Sequence, residues 1–143
     1  MNLRDVELQP DCEQPGFRHR RISVREALGG ELIGCSLYEV EAGEQLWPYH
    51  FHWNNEEWLI VVAGTPTLRT PGGERALRAG DVVAFPEGED GAHAVRGPGR
   101  VAIFSTRNQG ATEYPDSGKV GWGPPWKRLY LPVAAAVDYW DGE

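Results

Sequence analysis

The sequence predicts an all-β chain built as an antiparallel sandwich or barrel, and three observations point there. The apolar runs are short. Turn residues interrupt them roughly every 8–12 positions, the spacing of small strands joined by tight connections. Six tryptophans and five tyrosines are many for 143 residues and can fill an interior or line a pocket. With 41% hydrophobic and 24% charged residues the composition is that of an ordinary globular protein, and the length suits one domain spanning 1–143.

Residues 1–17 hold Pro10, Pro15 and Gly16 with little periodicity, so a loose N-terminal arm is expected. Residues 18–27 read as a short strand or turn leading to Gly29-Gly30. Residues 32–41 are strand-like, with Tyr38 and Val40 favouring the extended form. A turn at Glu41-Ala42-Gly43-Glu44 follows. Residues 46–53 are aromatic and alternating, and Asn54-Asn55 turns the chain. Residues 57–63 are almost continuously apolar and predict a buried strand. Residues 65–70 form another strand, and Pro71-Gly72-Gly73-Glu74 signals a hairpin. Residues 75–78 are a short strand, and Ala79-Gly80-Asp81 is a turn. Residues 82–85 form a strand stopped by Pro86. An acidic loop covers 87–91, and 92–96 and 100–106 are strands around Gly97-Pro98-Gly99. Beyond Asn108 the pattern changes. Residues 114–119 read as a loop, and 121–126 are aromatic and stiff. Residues 129–140 are apolar, expected to pack on the barrel or a second subunit rather than extend a sheet.

The net charge of −7 argues against nucleic acid and anionic membranes as partners. Residues 1–14 are polar and acid-bearing, unlike a signal peptide. The longest apolar runs, near 59–63 and 129–137, are too short to cross a bilayer. Cys12 and Cys35 have no metal or redox spacing and read as reduced thiols of a cytoplasmic protein, although their spacing alone does not exclude a disulfide.

The chemistry is concentrated in four residues. A strand places alternate side chains on one face, so His50 and His52 point the same way while Tyr49, Phe51 and Trp53 take the other. A hairpin through Asn54-Asn55 would return Glu57 beside them, and His93 would have to arrive from another strand. Three imidazoles and a carboxylate suit Zn, Fe, Mn, Ni or Cu and leave two octahedral positions open. A single buried histidine is usually a core residue satisfied by hydrogen bonds. The combination of an HxH pair, a nearby glutamate and a later histidine after Pro-x-Gly is much less common by chance. His19, among Arg18, Arg20 and Arg21, reads as a surface residue. Ser117-Gly118-Lys119 lacks the upstream glycines of a phosphate loop and reads as a plain loop.

These residues resemble the two motifs of the cupin superfamily. In the first, Gly43 opens the motif one residue farther from His50 than usual, which implies an inserted residue or a bulge near Trp47-Pro48. His50, His52 and Glu57 follow, and Gly64 closes it. The spacing to Gly64 favours Glu57 over Glu56. In the second, Gly80, Pro86 and Gly88 match, and His93 falls two residues late behind the insertion Glu89-Asp90. Gly97 stands where an asparagine is often found. The motifs span about 55 residues, from Gly43 to Gly97, and the remainder looks like bacterial single-domain cupins without a defined role. The resemblance implies a double-stranded β-helix, or jelly-roll, with its barrel core at about 30–108, an N-terminal arm at 1–29 and a C-terminal extension at 109–143. It implies one divalent ion (Zn, Fe, Mn or Ni) held by His50, His52, Glu57 and His93. It also implies a small-molecule ligand or substrate and a homodimer.

Trp47, Tyr49, Trp53, Trp58, Phe85 and Phe104 are candidates to face inward. Glu56, Tyr49 and Glu89 are the candidate acid–base helpers. Two functions remain open: a metal-assisted enzyme such as an isomerase or dioxygenase, and a non-catalytic sensor of a small molecule or sugar. A carboxylate or tyrosine beside an open metal position would favour the enzyme.

Overall fold

Alternation along the longest strands decides how the sheets face each other. In the computed structural model, which describes residues 1–124 and 127–142, the chain forms in order β1 (Gln9–Cys12), β2 (His19–Ser23), the short helix α1 (Val24–Ala27), β3 (Gly34–Val40), β4 (Phe51–His52) and β5 (Glu57–Gly64). Then follow β6 (Thr67–Thr70), β7 (Gly73–Ala76), β8 (Val82–Phe85), β9 (Ala94–Arg96), β10 (Gly99–Ser105), β11 (Thr112–Tyr114), β12 (Lys119–Trp122) and β13 (Leu129–Pro132). Pro125 and Trp126 of the aromatic segment expected at 121–126, and the terminal Glu143, lie outside the described residues.

One face is a sheet in the order β1-β2-β3-β10-β5-β8. The opposing face has two pieces, β7-β6-β9 and β13-β12-β11-β4. The ladders in all three sheets are antiparallel. His50 and His93 join the two pieces of the second face. They form an antiparallel bridge in which each amide donates to the other's carbonyl, at 3.1 and 2.9 Å. This is the predicted all-β jelly-roll.

Val40 of β3, Leu59 and Val61 of β5, and Val101 and Ile103 of β10 point between the faces, where they meet Leu46, Leu68, Leu77, Phe85 and Val95. The alternate residues Cys35, Leu37, Val62, Ala102 and Phe104 point outward and are covered by Leu3, Val6, Leu8, Ile22 and Val24. Two expectations change here. The N-terminal segment is no loose arm: it pairs as β1 and β2 and caps the outer face with buried Leu8 and Val24. Strand β5, expected to be buried, is so only on its inner side, where Leu59 and Val61 are enclosed; Trp58 on the other side is 48% exposed.

The hairpin at Pro71-Gly72 is as predicted, with Thr70 opposite Gly73. The region after Asn108 differs from expectation, because β11, β12 and β13 extend the sheet that begins with β4. Gly64 has φ +82°, and a Cβ there would stand 2.7 Å from Gly99 Cα. Only glycine lets β5 approach β10 so closely at the motif's end. Cys12 and Cys35 are free thiols. No helix among the described residues is long and apolar enough to cross a membrane.

Candidate metal centre

The site begins with strand phase. Glu57 shares the phase of Leu59 and Val61, so it points inward, whereas exposed Glu56 accepts a hydrogen bond from Trp58 Nε1. His50 and His52 share the opposite wall, and between them Phe51 turns away to pack with Tyr49, Ala92 and Ala94. Glu57 does not return through a hairpin, as the Asn54-Asn55 turn suggested. Strand β4 pairs with β11, and β5 pairs with β8 and β10, so the turn carries the chain from one face of the sandwich to the other. Glu57 and the histidines therefore meet across the interior. The ligand atoms of His50, His52 and Glu57 all lie within 4.8 Å of one another, and this group could hold a metal ion.

Between Gly43 and His50 the chain bends at Leu46-Trp47. The insertion before His93 is absorbed by a single 3-10 turn, Glu89–Gly91. Gly91 is essential to that turn, since a Cβ would fall 1.7 Å from the Pro86 carbonyl oxygen. The loop is tied to β4 through Gly88 N–H, which donates to the His52 carbonyl at 2.7 Å. His93 consequently regains register with His50. Its Nε2 lies 3.5 Å from Glu57 Oε2, and His52 Nε2 lies 3.4 Å from the same oxygen.

The three rings are oriented alike. The Nδ1–H of His50 donates to the Pro48 carbonyl at 2.8 Å, and that of His93 donates to the Gly91 carbonyl at 2.9 Å. A carbonyl can only accept, so in the neutral rings Nε2 carries the lone pair. His52 Nδ1 meets Thr112 Oγ1 at 3.1 Å, directly across the β4–β11 register. Phe85 stacks on the His93 ring at 3.8 Å. His93 is 0% exposed, and its Nε2 has no hydrogen-bond partner among the described residues. An orphaned buried nitrogen aimed at a carboxylate fits a cation between them, because leaving it empty costs desolvation without return.

Burial, then the nearness of His93 and His52, hold the pKa of His50 well below the ordinary histidine value. Burial also lowers His93, against the opposing pull of Glu57 and the Gly91 carbonyl. For Glu57 burial acts upward, but the hydrogen bond and charge of His52, with His93, outweigh it and leave the carboxyl below its usual value. Imidazoles held neutral at His50 and His93 and a carboxylate held ionised at Glu57 are protonation states that ligation requires.

Above these residues opens a cavity of about 400 Å³. Its wall includes Tyr38 and Trp47 and, from the C-terminal strands and their connection, Tyr114, Lys119, Arg128 and Tyr130. None of these last four was singled out for the site. Their spacing carries no motif, and only the pairing of β11 with β4 brings them here. The expected helpers Glu56, Tyr49 and Glu89 do not line this cavity. Of the inward-facing aromatic candidates, Trp47 lines it and Phe85 packs beneath it. Tyr49 joins the Phe51 cluster, Phe104 faces outward, and Trp53 and Trp58 are exposed. His19 is not a surface residue. It is buried, and its ring nitrogens bond the Phe17 carbonyl and Asp11. Burial raises the pKa of Tyr38; burial and then the Tyr130 phenol push that of Tyr114 up to about 12. Both phenols are proton donors at neutral pH.

A family model described as a cupin domain matches residues 36–106. Comparison with curated proteins gives no match. Among solved structures, a candidate sugar phosphate isomerase from Acidithiobacillus ferrooxidans is 22% identical with a TM-score of 0.83, covering 95% of this chain and 91% of that one. A sugar phosphate isomerase of the cupin superfamily from Silicibacter pomeroyi is 20% identical with a TM-score of 0.79, covering 99% and 97%. A cupin-like protein from Thermotoga maritima is 20% identical with a TM-score of 0.60, covering 77% and 86%. At these identities the likeness is one of fold, and it agrees with the motif strands, the jelly-roll topology and the paired histidines: the chain belongs to the cupin superfamily.

Proposed function

We propose that this cupin is a metal-dependent enzyme acting on a small molecule, with one divalent ion (Zn, Fe, Mn or Ni) held by His50, His52, Glu57 and His93. The observation that carries this reading is the shared orientation of the three rings. Each has Nδ1 engaged and Nε2 left for the interior, around one ionised carboxylate. Such hydrogen bonds fix ring orientation and raise ligand basicity. A divalent cation there would supply Lewis-acid polarisation of a substrate oxygen. The chain's own contribution is a partly apolar wall from Trp47, Pro48 and Ile103 and the protonated phenols of Tyr38 and Tyr114, which can donate to a substrate oxygen. Isomerisation is favoured over dioxygen chemistry because the two near-full-length structural neighbours are described as sugar phosphate isomerases, one of them as a candidate.

A second reading, a non-catalytic binder or sensor, is favoured by one observation. Among the described residues Glu57 is the only carboxylate lining the cavity, so once it serves as a ligand none of them remains to abstract a proton. The experiment is metal analysis of protein purified without added metal, for wild type and His52→Ala. Stoichiometric transition metal in the wild type and its loss in the variant are expected. A wild type without metal, with content unchanged in His52→Ala, sinks the proposal. Substrate turnover by the loaded wild type separates enzyme from binder.

We also propose a homodimer in the cytoplasm. The support is the exposed apolar surface of the C-terminal segment, including Leu129, Leu131, Val137 and Trp140, and the two free thiols. Light scattering on a sizing column should give twice the chain mass, and a monomer at micromolar protein contradicts the assembly.

A further inference from the structure

The cavity is electropositive in a chain of net charge −7. Lys119 and Arg128 both line it, and Glu57 is its single acid among the described residues. Neither cation forms an ion pair among the described residues. Lys119 Nζ sits 5.2 Å from the centre of the Tyr114 ring and 5.7 Å from that of Tyr130, seated by the two aromatic rings. Arg128 spends one donor on Thr112 Oγ1 at 2.9 Å, leaving most of its guanidinium fork without an acceptor among the described residues. The Thr112 hydroxyl also meets His52, so the guanidinium is one hydroxyl away from the histidine cluster.

The loop ahead of Lys119 is no phosphate cradle, because Gly118 N–H is spent on the Pro115 carbonyl. What the turn does is deliver the lysine to the cavity wall.

We propose that Lys119 and Arg128 form the seat for a dianionic oxyanion, of the phosphate-ester class, carried by the small molecule that the cavity binds. The proposal rests on the small-molecule reading above and adds the chemical class of the ligand. Two cations match a dianion in charge, and the guanidinium, the ammonium and the phenols of Tyr114 and Tyr130 offer enough donors for three terminal oxygens. The anionic end would be held at the rim while the remainder of the ligand reaches the histidines within the same cavity.

The test uses the full chain, stripped of metal, titrated calorimetrically with inorganic phosphate and separately with acetate. Zn²⁺ uptake is measured in parallel on the same samples. Wild type should bind phosphate, and acetate more weakly. Lys119→Gln and Arg128→Gln should each weaken phosphate by about tenfold or more, the loss of one charge-assisted contact. Arg69→Gln, outside the cavity, should not change it. Lys119→Gln touches no proposed ligand and should still take up Zn²⁺, which separates a lost anion seat from a lost fold. Absence of phosphate binding to wild type at millimolar concentration, or undiminished binding to both variants, overturns the proposal. Equal binding of acetate and phosphate overturns the dianion class. Phosphate binding that survives in a wild type unable to take up Zn²⁺ upholds the seat while the metal reading fails.

Discussion

The floor and the rim of the cavity are built on different terms. The floor (His50, His52, Glu57 and His93) comes from the central part of the chain, with rings pinned through Nδ1 and His93 stacked on Phe85. The rim (Tyr114, Lys119, Arg128 and Tyr130) comes from the β11–β13 region, whose outer strand is exposed along its whole length. Chemistry that must be positioned closely sits where packing fixes it; groups that select a ligand sit where substitution disturbs little. Thr112 joins the two, opposite His52 in register and bonded to both His52 and Arg128.

The largest effect that would test this contrast is Gly91→Val. A side chain there meets the Pro86 carbonyl, so loss of more than about 3 kcal/mol, or failure to fold cooperatively, is expected. Denaturant unfolding within about 1 kcal/mol of wild type would mean the loop before His93 is not fixed as described. Next is a matched pair. Leu59→Ala, at 0% exposure, should cost about 2–5 kcal/mol, and Leu131→Ala, at 55%, about 0.5 kcal/mol or less. Equal costs would erase the difference between the central core and the C-terminal strands.

Thr112→Val keeps the shape and removes the hydroxyl. If His52 is a ligand, Zn²⁺ affinity should fall about 10–100-fold in a competitive chelator titration, while a fold-level effect alone would leave it unchanged.

The smallest effects concern pH, measured by urea unfolding of metal-free protein. Unfolded histidines take up protons below about pH 6.5, whereas His50 and His93 resist protonation in the fold. Unfolding therefore binds protons, and stability should fall as pH drops below that value, by up to about 1.4 kcal/mol per pH unit for each proton. Glu57, held below its usual value, adds a further loss in stronger acid. At the rim the sign reverses. Tyr114, raised to about 12, stabilises the fold below the ordinary tyrosine value, and this contribution is lost as pH rises from about 10 through 12. Tyr114→Phe should flatten only the alkaline limb; a changed acid limb would mean that floor and rim are not separable.

The same division explains what could be read from residues alone. Period-two alternation told His50 and His52 from Phe51, and spacing to Gly64 favoured Glu57 over Glu56 as the carboxylate; strand phase turns Glu57 inward and leaves Glu56 exposed. These are local properties, and local properties survive without a structure. His93 was legible as a residue type, but not how Glu89–Gly91 would absorb its late position. The rim was illegible because it depends on β11 finding β4 across a long stretch of chain, through a two-residue strand with no motif. His19 misled for a related reason: three neighbouring arginines suggested water, while the pairing of β2 between β1 and β3 put its ring inside.

The bridge between His50 and His93 has a thermodynamic corollary. It is the stitch between the two halves of one face, and both of its side chains aim an unprotonated nitrogen inward. Anything that grips the two rings together fastens parts of the chain far apart in sequence and holds the fold more tightly than the unfolded ensemble. Melting temperature then becomes a titration curve for the gripping species, rising with its free concentration by simple mass action. A heat-stability assay across a chelator series would read out occupancy without any substrate in hand.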